Sequence, residues 1–138
     1  MAVDVFLDTN VLVYSVSQLR DDRAKRDRAV ALLTQPFGIS GQILQEFYVT
    51  VTRKIKAPLT PDKALEWVEQ LELQPCIPVD ATLVKNGIVV AERYNISYWD
   101  GAIIAAAEAL GAKTLYTEDL NHGQMYSSVR TENPFLHI

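Results

Sequence analysis

The chain has 138 residues, 49% hydrophobic and 22% charged, with 6 Gly and 6 Pro. That composition excludes a disordered, collagen-like or linker-dominated chain and fits one folded domain over 1–138. Its 13 basic and 17 acidic residues leave a net charge of −4, which as a bare sum speaks against a protein that coats DNA or an anionic membrane.

An apolar, β-branched run, Val3 to Leu7, predicts a first strand that ends at Asp8-Thr9-Asn10. Asp4 and Asp8 interrupt anything that could serve as an apolar leader. The longest apolar or Gly run, Gly101 to Ala107, falls far short of the ~18 residues of a membrane span. The expectation is a soluble, cytoplasmic protein with no membrane contact. Helices are predicted over 11–18 and 22–34, then a short second strand over 36–39. Ser40 is placed to cap a helix over 41–56, and Thr60-Pro61 opens another that runs to about Leu71. A third strand covers 75–79, where the lone Cys76 sits between Pro75 and Ile77 and reads as a structural thiol; a single cysteine makes no intrachain disulfide. Asp80 caps a helix to Tyr94, which Asn95 stops in the left-handed region. Ser97 opens a helix over 98–110 that Gly111 ends. Lys113 to Tyr116 form a fourth strand, a polar turn follows through Asn121-His122-Gly123, and Ser128 to Arg130 form a fifth. Strands alternating with helices predict an α/β fold around a parallel sheet.

Three acids stand out by position. Asp8 closes the first strand and Asp119 follows the fourth, so both arrive at the carboxyl edge of a parallel sheet, where ligands bind. Each also has an ordinary reading, Asp8 as a helix N-cap and Asp119 as a turn residue. Asp100 shares its helix face with Ile103, Ile104 and Ala107, a costly place for a charge unless it is capped or paired. Ser97-Tyr98-Trp99-Asp100 also fits a capping box. Glu46 flanks the apolar face of its helix, and nothing local brings it to the other three. Carboxylates in a chain with two His and one Cys suit Mg²⁺ or Mn²⁺ rather than Zn²⁺. There is no phosphate-binding loop, no dinucleotide fingerprint and no serine-hydrolase elbow.

Four segments carry a resemblance. Phe6-Leu7-Asp8-Thr9-Asn10, Ser40 to Phe47 with Glu46 as its acid, Tyr98 to Ala107 with Asp100, and Leu115 to Leu120 with Thr117, Asp119 and the following Gly123 resemble, in order, the four motifs of PIN-domain ribonucleases. Their spacing and the chain's length resemble lone PIN domains such as the VapC toxins of bacterial toxin–antitoxin pairs. The resemblance implies a PIN-like fold with a central parallel five-stranded sheet between helices. It implies a Mg²⁺- or Mn²⁺-dependent endoribonuclease whose catalytic, metal-binding acids are Asp8, Glu46, Asp100 and Asp119, with Asn10 and Thr117 in support. It also implies a homodimer and a cognate antitoxin. Gly101 departs from the pattern, since many relatives carry Ala there.

Basic residues cluster at Arg20, Arg23, Lys25, Arg26 and Arg28, and again at Arg53, Lys54 and Lys56. If both groups flank the crevice, they would bind RNA phosphates on either side of the scissile bond. A solvated helix face interleaved with Asp21, Asp22 and Asp27 accounts for the first cluster equally well. The four acids supply −4, so the remaining 13 basic and 13 acidic residues balance, and the net charge does not oppose an RNA substrate. The rival readings are a catalytically silent PIN-fold module that binds RNA or a partner, and a phosphatase acting on small phosphoesters.

Overall fold

A computed structural model describes residues 2–138. Six strands and six α-helices appear in the order β1 (Val5–Leu7), α1 (Thr9–Ser15), α2 (Arg23–Leu33), β2 (Ile39–Ser40), α3 (Gly41–Val49), α4 (Pro61–Leu71), β3 (Cys76–Ile77), α5 (Ala81–Tyr94), α6 (Tyr98–Ala109), β4 (Thr114–Tyr116), β5 (Met125–Tyr126) and β6 (Val129–Glu132). A 3₁₀ turn at Arg20–Asp22 precedes α2, and a π-helical turn at Thr50–Lys54 continues α3. No helix among the described residues is long and apolar enough to cross a membrane.

The helix boundaries follow local capping chemistry. Ser40, Thr60, Asp80 and Ser97 are all extended, and each side chain accepts a hydrogen bond from a first-turn amide, that of Ile43, Lys63, Leu83 and Asp100 respectively. Pro61 occupies the first helical position of α4, where its missing N–H goes unneeded. Asn95 ends α5 at φ 55°, ψ 47°, and Gly111 follows α6 at φ 76°.

The main sheet has the order β1-β4-β6-β5, and β2 pairs with β3 in a second, two-stranded ladder. One parallel bridge, Phe6 to Gly38, sets that ladder beside β1. Five strands therefore run parallel in the order β3-β2-β1-β4-β6, as expected from the alternation of elements. The difference lies at the edge. Met125 and Tyr126, between the polar turn at 121–123 and the expected fifth strand, form β5 and pair antiparallel with β6. Two residues are too few to show a strand period, and the pairing depends on the turn at Ser127, which holds φ 53°.

The chain winds outward from β1 through β2 to β3, then returns to the other side of β1 as β4. That reversal between β1 and β4 is the topological switch point of the sheet. Phe6, Leu7, Ile39, Ile43, Phe47, Ile104 and Leu115 are fully buried in the core around it, each such side chain contributing roughly 1.5–3 kcal/mol. Helix α6 is buried from Gly101 to Ala107 and packs on β2, β4, β6 and α5. A Cβ at Gly101 would stand 2.6 Å from the Gly87 carbonyl oxygen, so the departure from Ala is what lets α5 and α6 approach.

Candidate functional site

Strands β1 and β4 end level with each other. The Asp8 amide donates to the Tyr116 carbonyl at 3.1 Å, and the Thr117 amide to that of Glu132 at 3.0 Å. Asp8 is 5% exposed. Its Oδ1 accepts from the Thr9 amide at 2.7 Å, and its Oδ2 from the Thr117 hydroxyl at 2.7 Å. The same Thr117 oxygen accepts from the Asp119 amide at 3.1 Å. Asp119 Oδ2 in turn accepts from Asn10 Nδ2 at 3.1 Å. The ordinary reading of Asp8 as a cap is thus also true, and it coexists with a buried position at the sheet's ligand-binding edge.

The other two acids come from helices. The Thr9 hydroxyl donates to Glu46 Oε1 at 2.8 Å, which ties α3 to the start of α1. Gln42, one turn before Glu46 on α3, points its amide nitrogen at Glu46 Oε2 and at the Trp99 carbonyl of α6, both at 3.3 Å. Asp100 follows Trp99 and is half-buried; its amide donates to Ser97 Oγ at 3.1 Å, one half of the capping box. Thr9 and Gln42 are the residues that sequence reasoning missed. Gln42 carried one signal, a position four residues before Glu46, which puts both on the same helix face.

Burial pushes the Asp8 carboxyl up to about 6, with the Thr117 and Thr9 hydrogen bonds opposing the rise and the charges of Asp119 and Glu46 adding to it. Asp100 is also raised, first by burial and then by Asp119 and Glu46, against a hydrogen bond with Ser97. Asp8 and Asp100 therefore both lie in the fields of Asp119 and Glu46. Among the described residues, no three His, Cys, Asp or Glu side chains are grouped tightly enough to ligate one ion as they stand. Asp8, Glu46 and Asp119 are each held by hydroxyl or amide donors.

The donor set nevertheless fits a hard divalent cation. It consists of carboxylate oxygens, and Asn10 Oδ1 beside them is buried with no hydrogen-bond partner. Neither imidazole belongs to it. His122 Nδ1 accepts from the Asn133 amide at 3.0 Å in an exposed turn, and His137 is exposed near the C-terminus.

A cleft of about 810 Å³ opens over this region. Asn10, Glu46 and Asp119 line it on the acidic side, and Lys54 and Lys56 line it as well. Asp8 and Asp100 are not among its lining residues. No residue of the first basic cluster lines the cleft itself, although Lys25 bonds to Tyr14 and Glu118, which do. Arg20 and Arg23 are exposed around the entry of α2, and Arg26 lies 3.6 Å from Asp27. Lys25 lies 3.2 Å from Glu118, donates to the Tyr14 hydroxyl at 3.1 Å, and sits over the Tyr14 ring. Arg53 is exposed in the π-helical turn, next to Lys54.

The PIN-domain family model matches residues 5–127. No curated protein sequence shows a significant match. Solved structures with the same fold include a toxin–antitoxin complex from Klebsiella pneumoniae (17% identity, TM-score 0.68, 95% of this chain and 98% of that one). A DNA-bound VapBC from Salmonella typhimurium superposes at TM-score 0.63 with 20% identity, over 97% of this chain and 99% of the other. VapC20 from Mycobacterium tuberculosis, described as a sarcin-ricin-loop-cleaving toxin, does so at 0.64 with 16% identity, over 83% of this chain and 89% of its own.

Proposed function

The chain belongs to the PIN-domain family, and on that premise we propose that it is a VapC-type toxin, an endoribonuclease that hydrolyses RNA phosphodiester bonds in the cytoplasm. The observation that supports this reading is the buried Asp8 carboxyl at the β1/β4 switch point, held by the Thr117 hydroxyl and the Thr9 amide and, like Asp100, raised by the charges of Asp119 and Glu46. Four carboxylates from two strand ends and two helices have no structural need to gather, and their repulsion opposes it.

Asp8, Glu46, Asp100 and Asp119 would hold Mg²⁺ or Mn²⁺. When bound, the ion supplies Lewis acidity and offsets the carboxylates' mutual repulsion. The chain's own groups orient the ligands. Thr117 and the Thr9 amide fix both Asp8 oxygens, the Thr9 hydroxyl and Gln42 fix those of Glu46, and Asn10 fixes Asp119. The buried Asn10 Oδ1, which has no hydrogen-bond partner, would be an acceptor for a water. RNA phosphates would meet Lys54 and Lys56 on the cleft wall, with Arg53, Arg20 and Arg23 outside it. Lys25 and Arg26 already have acidic neighbours and would contribute less.

The relatives that are toxin–antitoxin complexes support a cognate antitoxin as partner, and the family resemblance supports a homodimer. The test is cleavage of total RNA by purified protein with Mg²⁺ or Mn²⁺. Asp8→Asn and Asp100→Asn should each lower cleavage by more than about 100-fold. Variants that cut as well as the parent would overturn the mechanism. A parent that neither cuts RNA nor binds Mg²⁺ or Mn²⁺ through these carboxylates, by calorimetry, would favour the silent binding module.

A further inference from the structure

Helix α6 is buried from Gly101 to Ala107, whereas Trp99 in its first turn is 62% exposed. An indole left in water forgoes one of the largest burial terms available to a side chain. Trp99 is nonetheless held. Its ring meets Tyr98 edge-on at 5.1 Å and 74°, and its carbonyl accepts from the buried Gln42 amide, which also binds Glu46. It lines the same cleft as Glu46, Asn10 and Asp119, and it is the residue before Asp100. Lys54 and Lys56 line that cleft too. The cleft thus combines an exposed aromatic face, a pair of cations and a group of acids, which are what one unpaired nucleotide needs for its base, its backbone and its scissile phosphate.

We propose that Trp99 is the stacking platform for an unpaired RNA base adjacent to the scissile phosphate, and so selects single-stranded or looped RNA over duplex. The inference rests on the ribonuclease reading for the word scissile, but the stacking itself does not. A base in a duplex already has its faces covered by neighbours, whereas an unpaired base can leave the stack and lie on an indole. Stacking is tolerant of base identity, because every base has a π-face. Trp99 would therefore set the structural class of substrate, and its sequence preference only weakly.

The chain contains two tryptophans, so a Trp67→Phe background leaves Trp99 as the sole indole reporter. With EDTA present to prevent cleavage, a single-stranded RNA oligonucleotide should quench its fluorescence, and the same sequence as duplex should not. With Mg²⁺ or Mn²⁺, Trp99→Ala should raise KM for the single strand by roughly 5- to 150-fold with kcat little changed. Trp99→Phe should restore most of the loss, a rescue that a purely structural defect would not show. Equal quenching by single strand and duplex, or an unchanged KM in Trp99→Ala, overturns the proposal. So does a variant that keeps its KM for RNA but loses affinity for a protein partner. If the parent cuts no RNA under any condition, the ribonuclease reading fails, while the quenching experiment still decides whether Trp99 stacks on a base.

Discussion

Replacing Asp8 with Asn removes a charge that the fold buries at a loss. The Asp8 carboxyl moves from an ordinary value of 3.8 to about 6, chiefly through burial, which corresponds to roughly 3 kcal/mol between its two protonation states. Below about pH 4 the carboxyl is protonated in the folded chain and largely so in the unfolded one, and its burial is then least costly. As pH rises through 6 the folded state must ionise a desolvated group, and that stability is lost. The new amide keeps an oxygen to accept from the Thr9 amide. Its nitrogen faces Thr117 Oγ1, which can accept but then loses its own acceptor, a deficit of about 1 kcal/mol. The metal-free Asp8→Asn protein should therefore be more stable than the parent at pH 7–8 by about 2 kcal/mol, or some 4–8 °C in Tm. The gap should close on acidification to pH 4. Thermal melts in EDTA across that range provide the assay, with RNA cleavage measured on the same samples. A variant that is both more stable and inactive is what a strained functional site predicts. A variant that melts at or below the parent at neutral pH, or a gap that persists at pH 4, would refute the reasoning.

Thr117→Val keeps the side-chain shape but takes the only side-chain donor from Asp8 and the acceptor from the Asp119 amide. It should cost about 1–3 kcal/mol in urea unfolding, lower cleavage by about 10- to 100-fold, and shift the acid limb of the pH–rate profile upward, since that hydrogen bond holds the Asp8 carboxyl down. Gly101→Ala gains about 1 kcal/mol in helix propensity, yet its Cβ would lie 2.6 Å from the Gly87 oxygen and 2.8 Å from Ala91. Net destabilisation of about 1–3 kcal/mol should appear in urea unfolding, and an unchanged midpoint would contradict the close approach of α5 and α6.

The local parts of the fold were legible because their causes are local. Ser40, Thr60, Asp80 and Ser97 cap helices with their own side chains, and Asn95 and Gly111 take left-handed backbone where a helix must stop. The end of the third helix was less legible. A continuous helix over 41–56 was expected, whereas α3 stops at Val49 and a π-helical turn runs to Lys54. No Gly or Pro marks that change. The short pairing of β5 with β6 left no trace either, since its partner residues lie across a turn.

At the site the division is the same. The sequence by itself determined the inventory: acids at two strand ends, one in a capping turn on the apolar face of its helix, one on a helix flank, and too few soft ligands for zinc. It also determined that the −4 net charge equals the sum of those four acids, which removes the objection to an RNA substrate. Only the tertiary structure decided that β4 returns beside β1, which brings Thr117 to Asp8 across 109 residues, and that Thr9 and Gln42 hold Glu46 and link it to α6. It also decided which cations line the cleft, Lys54 and Lys56, and that Lys25 is instead paired with Glu118 at its wall. Capping and periodicity act over a few residues and are written in the order of the chain. A buried carboxylate's neighbours are chosen by how strands cross over, and that is settled only when the whole core packs.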